Sequence, residues 1–169
     1  MCKKNQPKGF TLIELILYIG ISSFILLSIT LFATLMIQGR IKSEVINEVE
    51  QQGYQVMQLI TQNIRNAKNI NNPASGESET LLLGMDGNTD PIQFILRDST
   101  LYIQEGGGEM IHLTNNQVEV SKLNFVNNSR SNTPGTIHIE FTLSHKNSSE
   151  KNEYRFQKTF KSSASLRSS

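Results

Sequence analysis

The run from Leu15 to Ile37 carries no charged side chain, and this constrains the fold more than any other feature of the chain. About 20 consecutive apolar residues are enough to cross the hydrocarbon core of a bilayer, so the run is long enough for a transmembrane helix. An ordinary secretory signal has a shorter apolar region of about 7–15 residues, followed by a small-residue cleavage site, and neither feature is present here. The run therefore predicts a membrane-spanning helix near the N-terminus.

The charges on the two sides of this run predict its orientation. Lys3, Lys4 and Lys8 precede it, whereas only Arg40 and Lys42 follow closely. An excess of Lys and Arg marks the cytoplasmic side of a span. We therefore expect a single-pass membrane protein with a short cytoplasmic N-terminus and an extracytoplasmic C-terminal domain.

Glu14 stands immediately before the uncharged run. A charged residue at the centre of a bilayer costs about 2.5 to 3.5 kcal/mol, and less near the end of a helix. An ionisable residue in such a place is a functional hypothesis by default. The alternative is a plain signal anchor in which the glutamate is incidental.

The N-terminal segment resembles the processing site of type IV prepilins and of the pseudopilins of type II secretion and DNA-uptake systems. The resemblance rests on Lys8-Gly9-Phe10-Thr11-Leu12-Ile13-Glu14 and the apolar run that follows. It implies that a prepilin peptidase cuts after Gly9 and that Phe10 becomes an N-methylated mature N-terminus. It also implies that Glu14, then the fifth residue, attracts the N-terminus of a neighbouring subunit during assembly on an inner-membrane platform.

The chain is expected to divide into five segments. Residues 1–9 are a leader peptide, 10–38 a membrane or filament-core helix and 39–71 its amphipathic continuation. Residues 72–161 form a β-rich domain, and 162–169 a flexible tail. The continuation is inferred from apolar residues that recur at spacings of mainly three, four and seven, as on one face of a helix: Ile41, Val45, Ile46, Val49, Val56, Leu59, Ile60, Ile64 and Ala67.

Beyond Pro73 the pattern changes to short β-rich runs separated by turn residues. The predicted strands are Thr80–Leu83, Ile92–Leu96, Thr100–Gln104, Met110–Leu113, Val118–Phe125, Thr136–Ser144 and Tyr154–Phe160. A long helix followed by an antiparallel meander gives an α+β fold, which the resemblance makes pilin-like.

Further pieces resemble the minor pilins and pseudopilins of the W and J type: Ile64-Arg65-Asn66-Ala67, Leu113-Thr114, Leu123-Asn124-Phe125 and Ser165-Leu166-Arg167. The expected function is therefore a minor filament subunit, at the filament tip or in its initiation. Two alternatives stay open. One is a major filament subunit, and the other is a membrane-anchored binding domain or enzyme with no visible active site.

Catalytic and metal-binding patterns are weak in this chain, so no enzyme activity and no cofactor are expected. The histidines at 112, 138 and 145 are scattered and have no cysteine partner in the mature chain. Asp86, Asn88 and Asp90 match the first ligand positions of a calcium loop. However, Pro91 and Arg97 occupy the positions that need glycine and glutamate. A turn joining two strands is the preferred interpretation.

Charge and cysteine content agree with an exported domain. Removing the three leader lysines from 16 basic residues leaves 13 against 15 acidic ones, which argues against direct nucleic-acid binding. The single cysteine, Cys2, lies in the predicted leader, so the mature domain is expected to be stable without a disulfide.

Overall fold

The computed structural model describes residues 9–130, 133–147 and 152–167. The chain divides after Arg40 into two compact units, which are described separately below. The one α-helix of the described residues, α1, runs from Leu12 to Asn66 and contributes to both units. The predicted helix over 10–71 is thus correct in kind but too long at its C-terminal end.

In the first unit, α1 is apolar on all sides. From Leu12 to Ile37 its large apolar side chains are more than half exposed, and this is the one described helix that is long and apolar enough to cross a membrane. The hydroxyl groups of Ser28, Thr30 and Thr34 donate to carbonyl oxygens four residues earlier, at 2.8–2.9 Å. Because these hydroxyls are satisfied inside the helix, they do not oppose an apolar environment.

In the second unit, one face of α1 is buried. The buried positions recur every three or four residues and confirm most of the predicted stripe: Val45, Val49, Gly53, Val56, Ile60 and Ile64. Ala67, just beyond the helix, joins the same core, whereas Ile41, Ile46 and Leu59 lie at its margin. This stripe packs against the β-domain, and the resulting fold is α+β, as predicted.

In the part of the chain that the structure describes, nine strands form two antiparallel sheets rather than the single expected meander. The strands are β1 (Asn69–Asn72), β2 (Gly76–Ser78), β3 (Leu81–Gly84), β4 (Ile92–Arg97), β5 (Thr100–Glu105), β6 (Ile111–His112), β7 (Val118–Asn127), β8 (Thr136–His145) and β9 (Gln157–Ser165). Short 3-10 helices cover Gly87–Thr89 and Asn152–Tyr154. One sheet has the order β1-β3-β4-β5-β6 and the other β2-β7-β8-β9, because β2 leaves the first sheet to pair with β7.

The second sheet carries the clearest alternation in the sequence. Ile137, Ile139, Phe141 and Leu143 of β8 are fully buried. β8 pairs antiparallel with the C-terminal strand β9, as expected for consecutive strands of a meander, with Phe141 opposite Phe160. A bulge between Val120 and Lys122 of β7 shifts the phase of that strand. It brings Leu123 and Phe125 to the buried face already occupied by Val118 and Val120.

Two predicted boundaries are wrong for the same physical reason. Residues 69–72 form β1 instead of continuing the helix, because Lys68 N–H donates to Gly84 C=O at 2.9 Å and β1 then pairs with β3. Residues 162–165 form the end of β9 instead of a flexible tail, because they pair with 136–139 of β8. At both places the backbone hydrogen bonds of a neighbouring strand outweigh a local sequence without a clear apolar pattern.

Candidate functional site

The first candidate site is the start of α1, which lies just after the predicted cleavage position. Thr11 is the N-cap: its carbonyl oxygen accepts from Leu15 N–H at 3.2 Å, and its Oγ1 accepts from Glu14 N–H at 3.4 Å. A Thr followed three residues later by Glu is a capping-box pattern, which satisfies helix N–H groups that otherwise have no partner. Thr11 is not among the site residues predicted from the sequence, although the Thr-x-x-Glu spacing was sufficient to find it.

Gly9 and Phe10 precede this cap without regular secondary structure. Both are exposed, and the Phe10 side chain is 83% exposed. A Cβ placed on Gly9 would meet no atom of the described residues within 4 Å, so no described neighbour requires glycine there. The expected leader charges, Lys3, Lys4 and Lys8, lie outside the described residues.

Glu14 is exposed on the first turn of α1. No ion pair involves it within residues 9–130, 133–147 and 152–167. Its position is favourable for a carboxylate even without a partner, because helix N-termini carry a partial positive charge. The arrangement thus presents one carboxylate on an otherwise apolar helical surface.

The calcium-like segment forms a loop between β3 and β4, in agreement with the preferred interpretation. Asp90 Oδ1 accepts from Met85 N–H at 2.9 Å, and Asp86 pairs with Lys68. Asn88 lies in the short 3-10 helix, and its carbonyl oxygen lies close to Gly106. Among the described residues no group of three or more His, Cys, Asp or Glu could hold a metal ion.

An acidic cleft of about 500 Å³ lies where the start of the second unit's helix meets one end of the β7–β8–β9 sheet. Glu44 and Glu48 line one side, and His145, Lys146 and Tyr154 line the other. The His145 ring lies 5.9 Å from the Tyr154 ring, and its buried Nδ1 has no hydrogen-bond partner among the described residues. We call this region the acidic cleft.

The charges in the acidic cleft are only partly compensated. Glu48 Oε1 accepts from Asn115 Nδ2 at 2.6 Å, and Lys146 Nζ lies 3.7 Å from Glu119 Oε1. Glu44 is exposed and forms no ion pair in the described part of the chain. Periodicity alone could not reveal this cleft, because its walls come from distant parts of the sequence.

The opposite end of the second unit's helix is basic. Arg167 N–H donates to Arg65 C=O at 3.2 Å, which holds the two arginines together. Both residues are exposed, and neither forms an ion pair with another described residue. Asn66 and Ser165 line the shallow depression between them, and we call this region the basic end.

A cluster of aromatic and charged side chains fastens the edge strand β9 to the helix. Phe160 stacks on Phe141 with ring centroids 5.3 Å apart and meets Tyr54 edge-on at 5.5 Å. Lys158 Nζ donates to Glu50 Oε1 at 2.7 Å and lies 5.2 Å from the centre of the Tyr54 ring. The hydrogen bond to Glu50 is the main cause that raises the Lys158 pKa above its usual value.

The outer face of the second sheet carries a cross-strand ion triad. Glu140 of β8 contacts Lys122 of β7 at 2.9 Å and Lys161 of β9 at 3.1 Å. The hydrogen bonds from Lys122 and then Lys161 lower the Glu140 pKa below its usual value. On the same strand, His138 Nδ1 lies 3.0 Å from Ser163 Oγ, which gives this histidine an ordinary structural role.

Comparisons of the chain with protein-family models, with curated proteins and with solved structures found no match.

Proposed function

We propose that this chain is a minor pilin or minor pseudopilin, a structural subunit of a type IV pilus or of a secretion or DNA-uptake pseudopilus. One observation carries the proposal. The Gly9–Phe10 junction is exposed and precedes a capped helix whose large apolar side chains are exposed on every side from Leu12 to Ile37, with a single carboxylate, Glu14, on the first turn. A peptidase at the membrane surface needs an accessible, non-helical junction, and helices that assemble side by side need an apolar surface.

In this proposal, the protein is inserted with its N-terminus in the cytoplasm, cleaved after Gly9 and methylated on Phe10. The new α-ammonium group of Phe10 on one subunit then pairs with Glu14 on its neighbour. Each charge alone is costly in an apolar environment, whereas the pair is partly compensated and also fixes the axial register. The prepilin peptidase and the assembly platform are partners; the chain itself is their substrate.

The experiment that tests the proposal is intact mass measurement with N-terminal sequencing of protein from native membranes or sheared filaments. The expected result is a chain that begins at N-methyl-Phe10. A chain that begins at Met1 would contradict the proposal and leave a signal-anchored domain. The copy number relative to the dominant filament subunit separates a minor from a major subunit.

Two substitutions separate processing from assembly. Gly9→Leu is expected to block cleavage, because the peptidase site must accommodate a small residue, whereas Gly9→Ala should be cut. Glu14→Val is expected to be cleaved normally but lost from filaments, and Ile13→Val serves as its matched control. Normal incorporation of the Glu14→Val chain would refute the assigned role of the carboxylate.

A further inference from the structure

The edges of the two sheets differ in how well they are protected. Of the four strands at these edges, β1 has four residues and a register irregularity, β2 has three residues and β6 has two. The fourth, β9, has nine residues and pairs with β8 without any irregularity. Proteins usually keep an edge strand short or bulged, because an open edge is a template for another strand. In the described part of the chain, β9 is therefore the edge that is long and regular enough to receive a partner.

The hydrogen bonds at the two ends of the β8–β9 pair show which backbone groups of β9 point outward. His145 N–H donates to Phe156 C=O at 3.0 Å. At the other end, Leu166 N–H donates to Gly135 C=O at 2.8 Å. In an antiparallel pair, residues that exchange hydrogen bonds alternate with residues whose N–H and C=O groups point away.

The even-numbered residues of β9 therefore face β8, because the register is unbroken between these two bonds. The odd-numbered residues direct their N–H and C=O groups to the free edge: Gln157, Thr159, Lys161, Ser163 and Ser165. All five are exposed, and their backbone groups have no hydrogen-bond partner among the described residues. We call this row of outward backbone groups the free edge of β9.

A strip of α1 side chains runs beside β9. The two elements are joined near one end by Tyr54 and Phe160, and at the other by Arg65 and Arg167. Between Tyr54 and Arg65, Gln58 and Thr61 continue the same helical spacing. Tyr54 is 58% exposed, whereas most large apolar side chains of the second unit are covered. A strand added to β9 would carry side chains over this strip, where the Tyr54 ring offers an apolar contact.

The charges beside the free edge favour an acidic partner. The two lysines of β9 are already paired with glutamates of the same chain. Arg65 and Arg167, where β9 ends, are exposed and form no ion pair with another described residue. Arginine binds carboxylates through paired N–H donors, so a carboxylate at this end would be stabilised and a basic group repelled.

We propose that the free edge of β9 receives an extended acidic segment of another protein as an additional antiparallel strand. The segment covers about nine residues, or about 30 Å at 3.4 Å per residue. Its first residues carry carboxylates that face Arg65 and Arg167, because an antiparallel strand begins where β9 ends. Main-chain hydrogen bonds supply the affinity, and the carboxylates select the direction of the segment. This inference goes beyond the proposed function and does not depend on it, since the free edge belongs to the second unit alone.

Peptide binding to the full-length protein in detergent micelles tests the proposal. The probe is a synthetic peptide of about nine residues, with two glutamates followed by alternating threonine and valine. N-methyl groups on every second residue block one edge of the peptide and prevent its self-association. A matched peptide begins with two glutamines instead. NMR hydrogen exchange is expected to show the Thr159, Lys161 and Ser163 amides slowed about tenfold or more by the probe, with little change at even-numbered amides of β9.

Two substitutions at residue 163 distinguish strand addition from other kinds of binding. Ser163→Pro removes an outward N–H and places a ring on the free edge, while the hydrogen bonds to β8 remain. Ser163→Ala is the matched control, because it removes the hydroxyl contact to His138 but keeps the N–H. The proline variant should bind the probe about tenfold more weakly or worse, and the alanine variant about as well as the native chain. Slow exchange of the even-numbered β9 amides in both variants shows that the β8–β9 pair is intact.

A substitution at the end of the edge tests the carboxylate contact without altering the backbone. Arg167→Gln should weaken binding of the glutamate peptide about fivefold and leave the glutamine peptide unaffected. Arg97→Gln, at an exposed position of the other sheet, should change neither.

Several results would overturn the proposal. These are no binding at millimolar peptide, equal binding by the proline variant with β9 intact, equal affinity for the two peptides, or slowed exchange only outside β9. Slowed exchange of the same amides that depends on protein concentration without peptide would assign the free edge to a second copy instead.

Discussion

Gly53 is a position where one added methyl group should disturb the core of the domain. It lies on the buried face of α1, directly beneath the ring of Phe160. A Cβ at residue 53 would lie 2.0 Å from Phe160 Cζ, 2.3 Å from Cε2 and 2.6 Å from Cε1. Carbon atoms prefer separations of about 3.5–4.0 Å, so the ring would have to move by roughly 1.5 Å.

The ring has little room to move, since Phe160 is only 5% exposed and packs between Phe141 and Tyr54. Overpacking of a core typically costs about 1–3 kcal/mol, and each disturbed aromatic pair contributes about 0.5–1.5 kcal/mol. Replacing a helical glycine with alanine returns about 1 kcal/mol of helix propensity. The expected net loss for Gly53→Ala is therefore about 2 kcal/mol, or roughly 6–10 °C in melting temperature for a domain of this size.

Thermal unfolding of the full-length protein in detergent micelles, followed by circular dichroism, measures this loss. Gly39→Ala on the same helix is the matched control, because a Cβ there meets no atom of the described residues within 4 Å, and its domain transition should not move. Phe160→Leu provides a second control. In that background Gly53→Ala should cost at least about 1 kcal/mol less than in the native chain, since the smaller side chain leaves space. A Gly53→Ala protein as stable as the native chain, or strict additivity with Phe160→Leu, would refute this account.

Three further predictions concern the helix cap and the charged clusters. Thr11→Ala should speed hydrogen exchange of the Glu14 amide about fivefold, because a lost N-cap costs about 1 kcal/mol, while Thr11→Ser should leave it near the native rate; NMR in micelles measures both. Folding lowers the Glu140 pKa, so the ionised Glu140 carboxylate stabilises the folded state. This stabilisation is present above the usual glutamate pKa of about 4.3 and is lost as the pH falls further. Glu140→Gln should therefore lower the urea midpoint at pH 7. The difference in urea midpoint between this variant and the native chain should become smaller towards pH 3. Folding raises the Lys158 pKa, so the charged Lys158 side chain stabilises the folded state. This stabilisation is present below the usual lysine pKa of about 10.4 and is lost as the pH rises through the Lys158 pKa of the folded state. Glu50→Gln should thus lower the urea midpoint at pH 7, and its difference from the native midpoint should be smaller above pH 11. A difference that does not change with pH would contradict the Lys158–Glu50 pair.

The parts of the fold that were predicted correctly are those that depend on local periodicity. The buried stripe of α1 follows from apolar residues at helical spacing, and β8 follows from strict alternation between Ile137 and Leu143. Each pattern records directly which face of an element is buried. The α+β class then follows from the order of the elements.

The wrong predictions are those decided by contacts between distant segments. Ser162 to Ser165 have no apolar pattern of their own except Ala164, yet they complete a strand because β8 supplies hydrogen-bond partners. The division into two sheets depends on β2, three residues whose partner β7 lies more than forty positions away. The bulge in β7 is different, because its signal was present. Val118 and Val120 are out of phase with Leu123 and Phe125, and only an extra residue brings all four to one face.

The candidate sites also differ in whether local sequence or contacts between distant segments form them. The junction at Gly9 and the position of Glu14 are local features and were visible in the sequence, as was the Thr11 cap that was overlooked. The acidic cleft was not visible, because Glu44 and Glu48 line it together with Lys146, which lies far away in the sequence. The basic end likewise forms only when the residues that follow β9 bring Arg167 beside Arg65.

The apolar surface of the first unit limits what can set the order of the subunits in the proposed assembly. The apolar surface of the first unit gains little by exchanging lipid contacts for contacts with another helix, because lipid tails are as apolar as leucine. Apolar area alone therefore cannot decide which helix lies beside which, or at what height. That choice must come from the few polar groups that differ from their surroundings. In the proposed filament the clearest such group is Glu14 in the helical core. Loss of its carboxylate should therefore disturb the register of the subunits before it affects their stability.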